Sequence, residues 1–285
     1  MTEITAPANA RIDRAPRGLA AWAACFDPAA LPVLASTADA LEGWRQNEEA
    51  VDAHLLAETI SCDPLMTLKL LAHVGRLRQG RDGSDAETVT ACLVMLGITP
   101  FFNAFGPQPT VEARLSGRPE ALEGFRRVLR RAHRAANFAI GFAVHRLDHD
   151  AAVLHEAALL HDFAELLLWL DAPDAMLEIE RRQQADSTLR SADVQHEVLG
   201  VELTALQHAL MQAWRLPALL VQITDVHQHN DSAQVRNVLL AIRVARHSAV
   251  GWDNAALPDD VHEIAELLQL GVDPTTKLLR EINGW

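Results

Sequence analysis

His161-Asp162 is the dipeptide in this sequence with a specific chemical reading. An imidazole nitrogen and a carboxylate both ligate divalent cations, and a metal held there would activate water for hydrolysis. Neighbouring side chains on a helix diverge by about 100°, yet both can reach one cation lying beyond the helix surface. Such a site needs further ligands from other helices, for instance a histidine before the pair and a carboxylate after it. His133 lies on the preceding helix, and Asp225, His227 and His229 cluster near the end of a helix that starts at Pro217. Each feature also has a plainer reading. The His161-Asp162 pair can be a hydrogen-bonded buried pair or an exposed one. His227-Gln228-His229 can be a polar helix end, because residues i and i+2 face different ways. Thirteen histidines make chance pairings easy.

The elements that must position these residues read as helices. There is no tyrosine and few β-branched runs occur, while Ala and Leu dominate. Asp63-Pro64, Leu216-Pro217 and Asp273-Pro274 each place proline where a first helical turn tolerates its missing N–H, with Asp63 and Asp273 as expected N-caps. Leu65, Leu68, Leu71 and Ala72 then recur at helical spacing, as do Val261, Ile264, Leu267 and Leu268 ahead of Gly271. Ala151–Leu170 is apolar nearly all round and is expected to be one buried central helix. The fold class is all-α. Residues 1–30, rich in Ala, Pro and Arg, read as a loose or partly packed extension. Residues 31–105 form a first helical group, a second runs over 120–250, and two helices close the chain in 251–285. Gly106, Pro107, Pro109, Gly117 and Pro119 mark a connection expected to be a surface loop, with both groups in one cooperative unit around a cleft.

With 49% hydrophobic and 22% charged residues, the 285-residue chain has an ordinary globular balance. Its formal net charge of −13 argues against nucleic acid as a partner, since phosphates must be met by cations. The local run Arg126, Arg127, Arg130, Arg131 and Arg134 has the spacing of a solvated helix face, and Trp169 and Trp214 read as core anchors. No basic stretch leads into an apolar run at the N-terminus, and no window of eighteen uninterrupted apolar residues exists. No secretory signal and no membrane partner are therefore expected, and the localisation read is cytoplasmic. Cys25, Cys62 and Cys92 are far apart and odd in number, as expected for reduced, partly buried thiols.

A series of short motifs runs along the chain. Leu31-Pro32 opens the first group, and Ile60-Ser61-Cys62-Asp63-Pro64 steps from isoleucine to Asp-Pro. Val94-Met95-Leu96-Gly97 follows, ending in Leu-Gly. His133 and Ala158-Leu159-Leu160-His161-Asp162-Phe163 come next. Glu197, Leu199-Gly200, Trp214-Arg215-Leu216-Pro217 and His227 complete the series. The order of these motifs resembles the HDOD family, the HD-related output domains of bacterial signalling proteins. The resemblance covers about residues 31–250 and implies a multi-helical HD-like bundle with an N-terminal helical subdomain packed on it.

The wider HD superfamily contains metal-dependent phosphohydrolases acting on nucleotides and cyclic dinucleotides. Carried over by position, His133 matches their first histidine, and His161 and Asp162 match the pair. The final aspartate is expected beside Val244-Ala245, where this chain has Arg246. A guanidinium has no lone pair to donate and repels a divalent ion. Ala164-Glu165 stands where active cyclic-dinucleotide enzymes follow the pair with Gly-Lys. Leu203 replaces a histidine, and His73 an asparagine. The resemblance therefore implies a non-catalytic regulatory domain in signal transduction. It would have no cofactor, a degenerate metal site, and a protein partner or small signalling ligand bound at a cleft near His227, His229 and Arg246. The alternative is a phosphohydrolase holding a divalent metal through His133, His161 and Asp162, with Asp225 as substitute carboxylate.

Overall fold

A computed structural model describes residues 16, 18–79, 86–186, 188–224 and 232–284. Asp225, His227 and His229 lie outside the described residues. No strand occurs among those residues; the nearest approach is a single parallel bridge between Val33 and Thr110.

The first group contains α2 (Ala35–Arg45), α3 (Ala53–Ile60), α4 (Pro64–Leu77), α5 (Val89–Leu96) and α6 (Ile98–Ala104), preceded by α1 (Leu19–Ala23) in the extension and followed by α7 (Val111–Arg114) in the connection. The Asp-Pro step works as its residues dictate. Asp63 caps α4 by accepting from the Leu65 and Met66 amides at 2.9 and 3.1 Å, with Pro64 at the first helical position. The buried face that follows includes Leu65, Leu68, Leu71 and Ala72. Thr88 caps α5 through the Ala91 amide. The Gly/Pro-rich connection is more than the expected surface loop. It contains α7, buries Val111 and Leu115, and is tied to the start of the group by hydrogen bonds of Val33 with Pro109 and Val111.

The second group is built on α8 (Pro119–Arg146), against which α9 (Ala151–Leu160), α10 (Phe163–Asp171) and α15 (Ala233–His247) pack. Between them run α11 (Pro173–Ala185), α12 (Ser191–Leu199), α13 (Leu203–Trp214) and α14 (Ala218–Thr224). The chain closes with α16 (Leu257–Leu268) and α17 (Val272–Asn283). Gly124 lets α8 cross Trp169 closely, since a Cβ there would lie 2.5 Å from the indole ring. Trp169 and Trp214 are buried, and Trp214 stacks on Phe163 with ring centroids 5.6 Å apart. The closing helix departs from the sequence expectation. It begins at Val272 with Gly271 at its N-cap, so Asp273 sits in the first turn and not at the cap. There its carboxylate still faces the positive end of the helix dipole.

The N-terminal subdomain packs on the bundle. Trp22 of α1 is fully buried and donates to the Leu199 carbonyl at 2.8 Å. Gly75 of α4 passes so close to the α13–α14 turn that a Cβ would stand 2.8 Å from the Arg215 carbonyl oxygen. Glu156 of α9 accepts from the Val89 amide, and Arg114 of α7 pairs with Asp171 of α10. Cys25 and Cys62 are exposed, not partly buried as expected; Cys92 is buried, and all three are free thiols. Among the described residues no helix is long and apolar enough to cross a membrane.

Candidate functional site at the His-Asp pair

The helix expected over Ala151–Leu170 is in fact two, α9 and α10, and His161-Asp162 is the break between them. Asp162, at φ −104° and ψ 24°, has left the helical region. Apolar periodicity could not signal this, because α9 and α10 are both buried and the break lies within the apolar run. Breaking a buried helix exposes backbone groups that need partners. Gln207 of α13 supplies them: its side-chain amide donates to the His161 carbonyl and accepts from the Ala164 amide. Sequence reasoning passed over this residue. The signal was a glutamine on the apolar stripe of α13, in register with Leu206, Leu210, Met211 and Trp214.

The break turns the pair toward α8 and α15. His161 Nδ1 lies 2.9 Å from Asp162 Oδ1. An ionised carboxylate only accepts, so Nδ1 carries the proton. Asp162 Oδ2 accepts from Arg131 Nε of α8 at 2.8 Å, and Arg131 Nη2 reaches Glu165 Oε2 at 2.5 Å. Arg246 Nη2 of α15 stands 3.5 Å from Asp162 Oδ1. Burial alone would raise the Asp162 pKa. The His161 hydrogen bond and the Arg131 and Arg246 charges overcome it and hold the carboxyl well below its ordinary range. Burial has the upper hand at Glu165 and pushes its pKa up, against the pull of Arg131.

One sequence expectation is corrected here. The arginine run is a solvated face only in part. Arg126 is exposed, Arg130 pairs with Glu123, and Arg127 with Glu180. Arg131 instead turns inward to the pair, and Arg134 holds the Ser248 carbonyl and hydroxyl at 3.0 and 2.7 Å. His133 faces the N-terminal subdomain, its Nε2 2.8 Å from the carbonyl oxygen of Cys62. A carbonyl only accepts, so Nε2 is protonated and is no metal donor in this arrangement. His73 packs edge-on against Phe105, 5.1 Å between centroids, and Leu203 opens α13.

Among the described residues the donors at the pair do not fit a divalent cation. Asp162 is engaged by Arg131, His161 and Arg246, and its immediate surroundings are cationic. No group of three or more His, Cys, Asp or Glu side chains among the described residues is arranged to hold a metal ion.

Beside the pair, His161 and one face of α15 line a cavity of about 520 Å³. Arg236, Arg243 and Arg246 stand along it with Val235, Leu239, Leu240 and Ile242, and Glu263 of α16 closes one side.

The fold is shared with solved structures. The MmoQ response regulator from Methylococcus capsulatus strain Bath superposes with a TM-score of 0.66 at 20% identity, over 88% of this chain and 98% of that one. A virulence factor from Campylobacter jejuni matches with a TM-score of 0.62 at 17% identity, over 88% and 94% of the two chains. No curated protein matches the sequence. The HDOD domain model matches residues 31–230, which ends before α15, so the position of Arg246 at the pair rests on geometry. With that match spanning most of its length, an HD-like helical bundle and an N-terminal subdomain docked upon it, the chain belongs to the HDOD family.

Proposed function

We propose that this chain is a non-catalytic regulatory domain in signal transduction, acting by binding a protein partner or a small ligand. One observation carries the reading: the Asp162 carboxylate is neutralised by Arg131 at 2.8 Å and approached by Arg246 at 3.5 Å, where a hydrolase needs a cation and its water. A guanidinium fixed at this carboxylate supplies the charge balance a metal would supply, without Lewis acidity or a bound hydroxide. Glu165, which follows the pair where active relatives carry a lysine, anchors the same Arg131. The departures around the pair thus work together as one ion-paired cluster.

The test is elemental analysis of protein purified without chelator. The expected result is no stoichiometric iron, manganese, zinc or nickel, and a gain in metal affinity in Arg246→Asp. Stoichiometric metal that disappears in His161→Ala and Asp162→Ala would overturn the reading in favour of the hydrolase.

A further inference from the structure

Arg246 is the cation in the cavity with the weakest hold on a partner. Its single contact to an acid among the described residues is 3.5 Å long, beyond the ordinary N–H···O range, and its side chain is 52% exposed. That acid, Asp162, already accepts from Arg131 and His161 at shorter distance. The other two arginines are committed. Arg243 grips both oxygens of Glu263 at 2.9 Å and lies 2.8 Å from Asp260, and Arg236 holds Glu266 at 2.8 Å. The cavity therefore presents one guanidinium fork free to re-partner, beside two whose charge is fixed in place.

The wall between them is apolar. Leu239 is 39% exposed, and Val235 and Ile242 lie on the same face of α15. At about 520 Å³ the space falls within the range of small-molecule sites, which combine such a wall with a few placed polar groups. An oxyanion meeting Arg246 can form the two parallel hydrogen bonds that the fork favours. The exchange costs only the long contact, because Asp162 keeps Arg131 and His161.

We propose that this cavity binds a small organic oxyanion, a negatively charged head on an apolar body, with Arg246 as its anchoring cation. The assignment rests on the reading of the pair as ion-paired and metal-free, and it names the chemistry of the ligand that reading leaves open. Binding draws Arg246 from Asp162 into the cavity, which couples ligand occupancy to the junction of α9, α10 and α15.

The test uses 8-anilinonaphthalene-1-sulfonate, whose sulfonate and fluorescent apolar body match both halves of the cavity. The full chain is titrated at constant ionic strength after its metal content is measured. Saturable binding at one site is expected, weakened about tenfold or more in Arg246→Gln, the scale of one charge-assisted hydrogen bond. Leu239→Glu, a change at an exposed position, is expected to abolish it by placing a carboxylate in the ligand's path. Inorganic pyrophosphate added as competitor separates the two halves. Displacement means that the anionic head alone suffices, and no displacement means that the apolar body is required.

Equal binding by wild type, Arg246→Gln and Leu239→Glu, each folded by circular dichroism, would overturn the proposal. So would loss of binding only in Val94→Ser/Met95→Ser, which alters a separate exposed apolar patch on α5. Metal found in the sample defeats the metal-free reading, whereas metal-free protein indifferent to Arg246 defeats the anion site alone.

Discussion

Two aspartates, fully buried Asp63 in the N-terminal subdomain and partly buried Asp162 in the bundle, are satisfied in different ways. Asp63 is fully buried and is held chiefly by backbone amides, Leu65 and Met66 at 2.9 and 3.1 Å and Leu34 at 2.7 Å, with one further hydrogen bond from the Thr37 side chain. Asp162 accepts from the side chains of Arg131 and His161 with Arg246 nearby, at the edge of a cavity. Backbone donors move only if the fold moves, so Asp63 is a joint that ties α4 to the start of α2. Side-chain donors can swing away one at a time, so the cluster at Asp162 can change partners within an intact fold.

Breaking the backbone-held carboxylate should have the larger effect. Asp63→Ala removes a helix cap and strands the part-buried Leu34 amide. It also deprives buried Lys69 of a countercharge, whose burial already lowers its pKa to about 8. The expected loss is about 3–5 kcal/mol of unfolding free energy, read by chemical denaturation. A loss below about 1 kcal/mol would mean that the joint is dispensable.

Glu156 sharpens the comparison, because both its oxygens share one donor, the Val89 amide, at 2.9 and 3.1 Å. Burial pushes its pKa up from the ordinary 4.5 to about 8, with the Val89 hydrogen bond pulling weakly the other way. Between those values the folded chain keeps a proton that the unfolded chain has released. The contribution of Glu156 to stability therefore falls as pH rises from about 4.5 to 8. Glu156→Gln keeps an acceptor for Val89 without the titration. The variant is expected to gain about 2–3 kcal/mol over wild type between pH 5 and pH 8, seen as diverging unfolding midpoints. His155, whose pKa burial and His133 push down to about 4, titrates in both chains and cancels in the difference. Parallel pH profiles would show that Glu156 is ionised in the folded protein.

How much of this was legible in the sequence follows the same divide. A local signal was read correctly where a residue acts on its own backbone: Asp63-Pro64 opens α4. The buried face of α4 followed from spacing alone, and the order of motifs led to the family. What escaped were long-range partnerships. Arg131 and Arg134 share a helix with the exposed Arg126, and nothing local distinguishes an arginine that turns inward 31 residues from its acid. The break at His161-Asp162 was hidden because a buried helix and two buried half-helices carry the same apolar pattern. Gln207, which stabilises that break, was visible only as a polar residue on an apolar stripe.

The smallest expected effect separates Asp162 from Arg246. Removing the carboxylate in Asp162→Ala leaves Arg131, 21% exposed, with Glu165 as its one remaining acid among the described contacts, and takes the acceptor from His161. Leaving partners of a partly buried network unpaired costs about 1–3 kcal/mol. Removing the cation in Arg246→Gln breaks only a 3.5 Å contact made by a half-exposed side chain. Such contacts contribute a few tenths of a kcal/mol at most, within about 0.5 kcal/mol of wild type. Denaturant midpoints of the two variants, measured side by side at pH 7, test whether the cluster is fixed or exchangeable. If Arg246→Gln costs as much as Asp162→Ala, the arginine is part of the structural core and its guanidinium is not free to meet a ligand. If it costs almost nothing while Asp162→Ala costs its share, the cluster has a rigid half, Arg131 with Asp162 and Glu165, and a movable half at the mouth of the cavity. A movable cation beside a satisfied carboxylate is the physical requirement for a site that responds to a ligand while the fold stays intact.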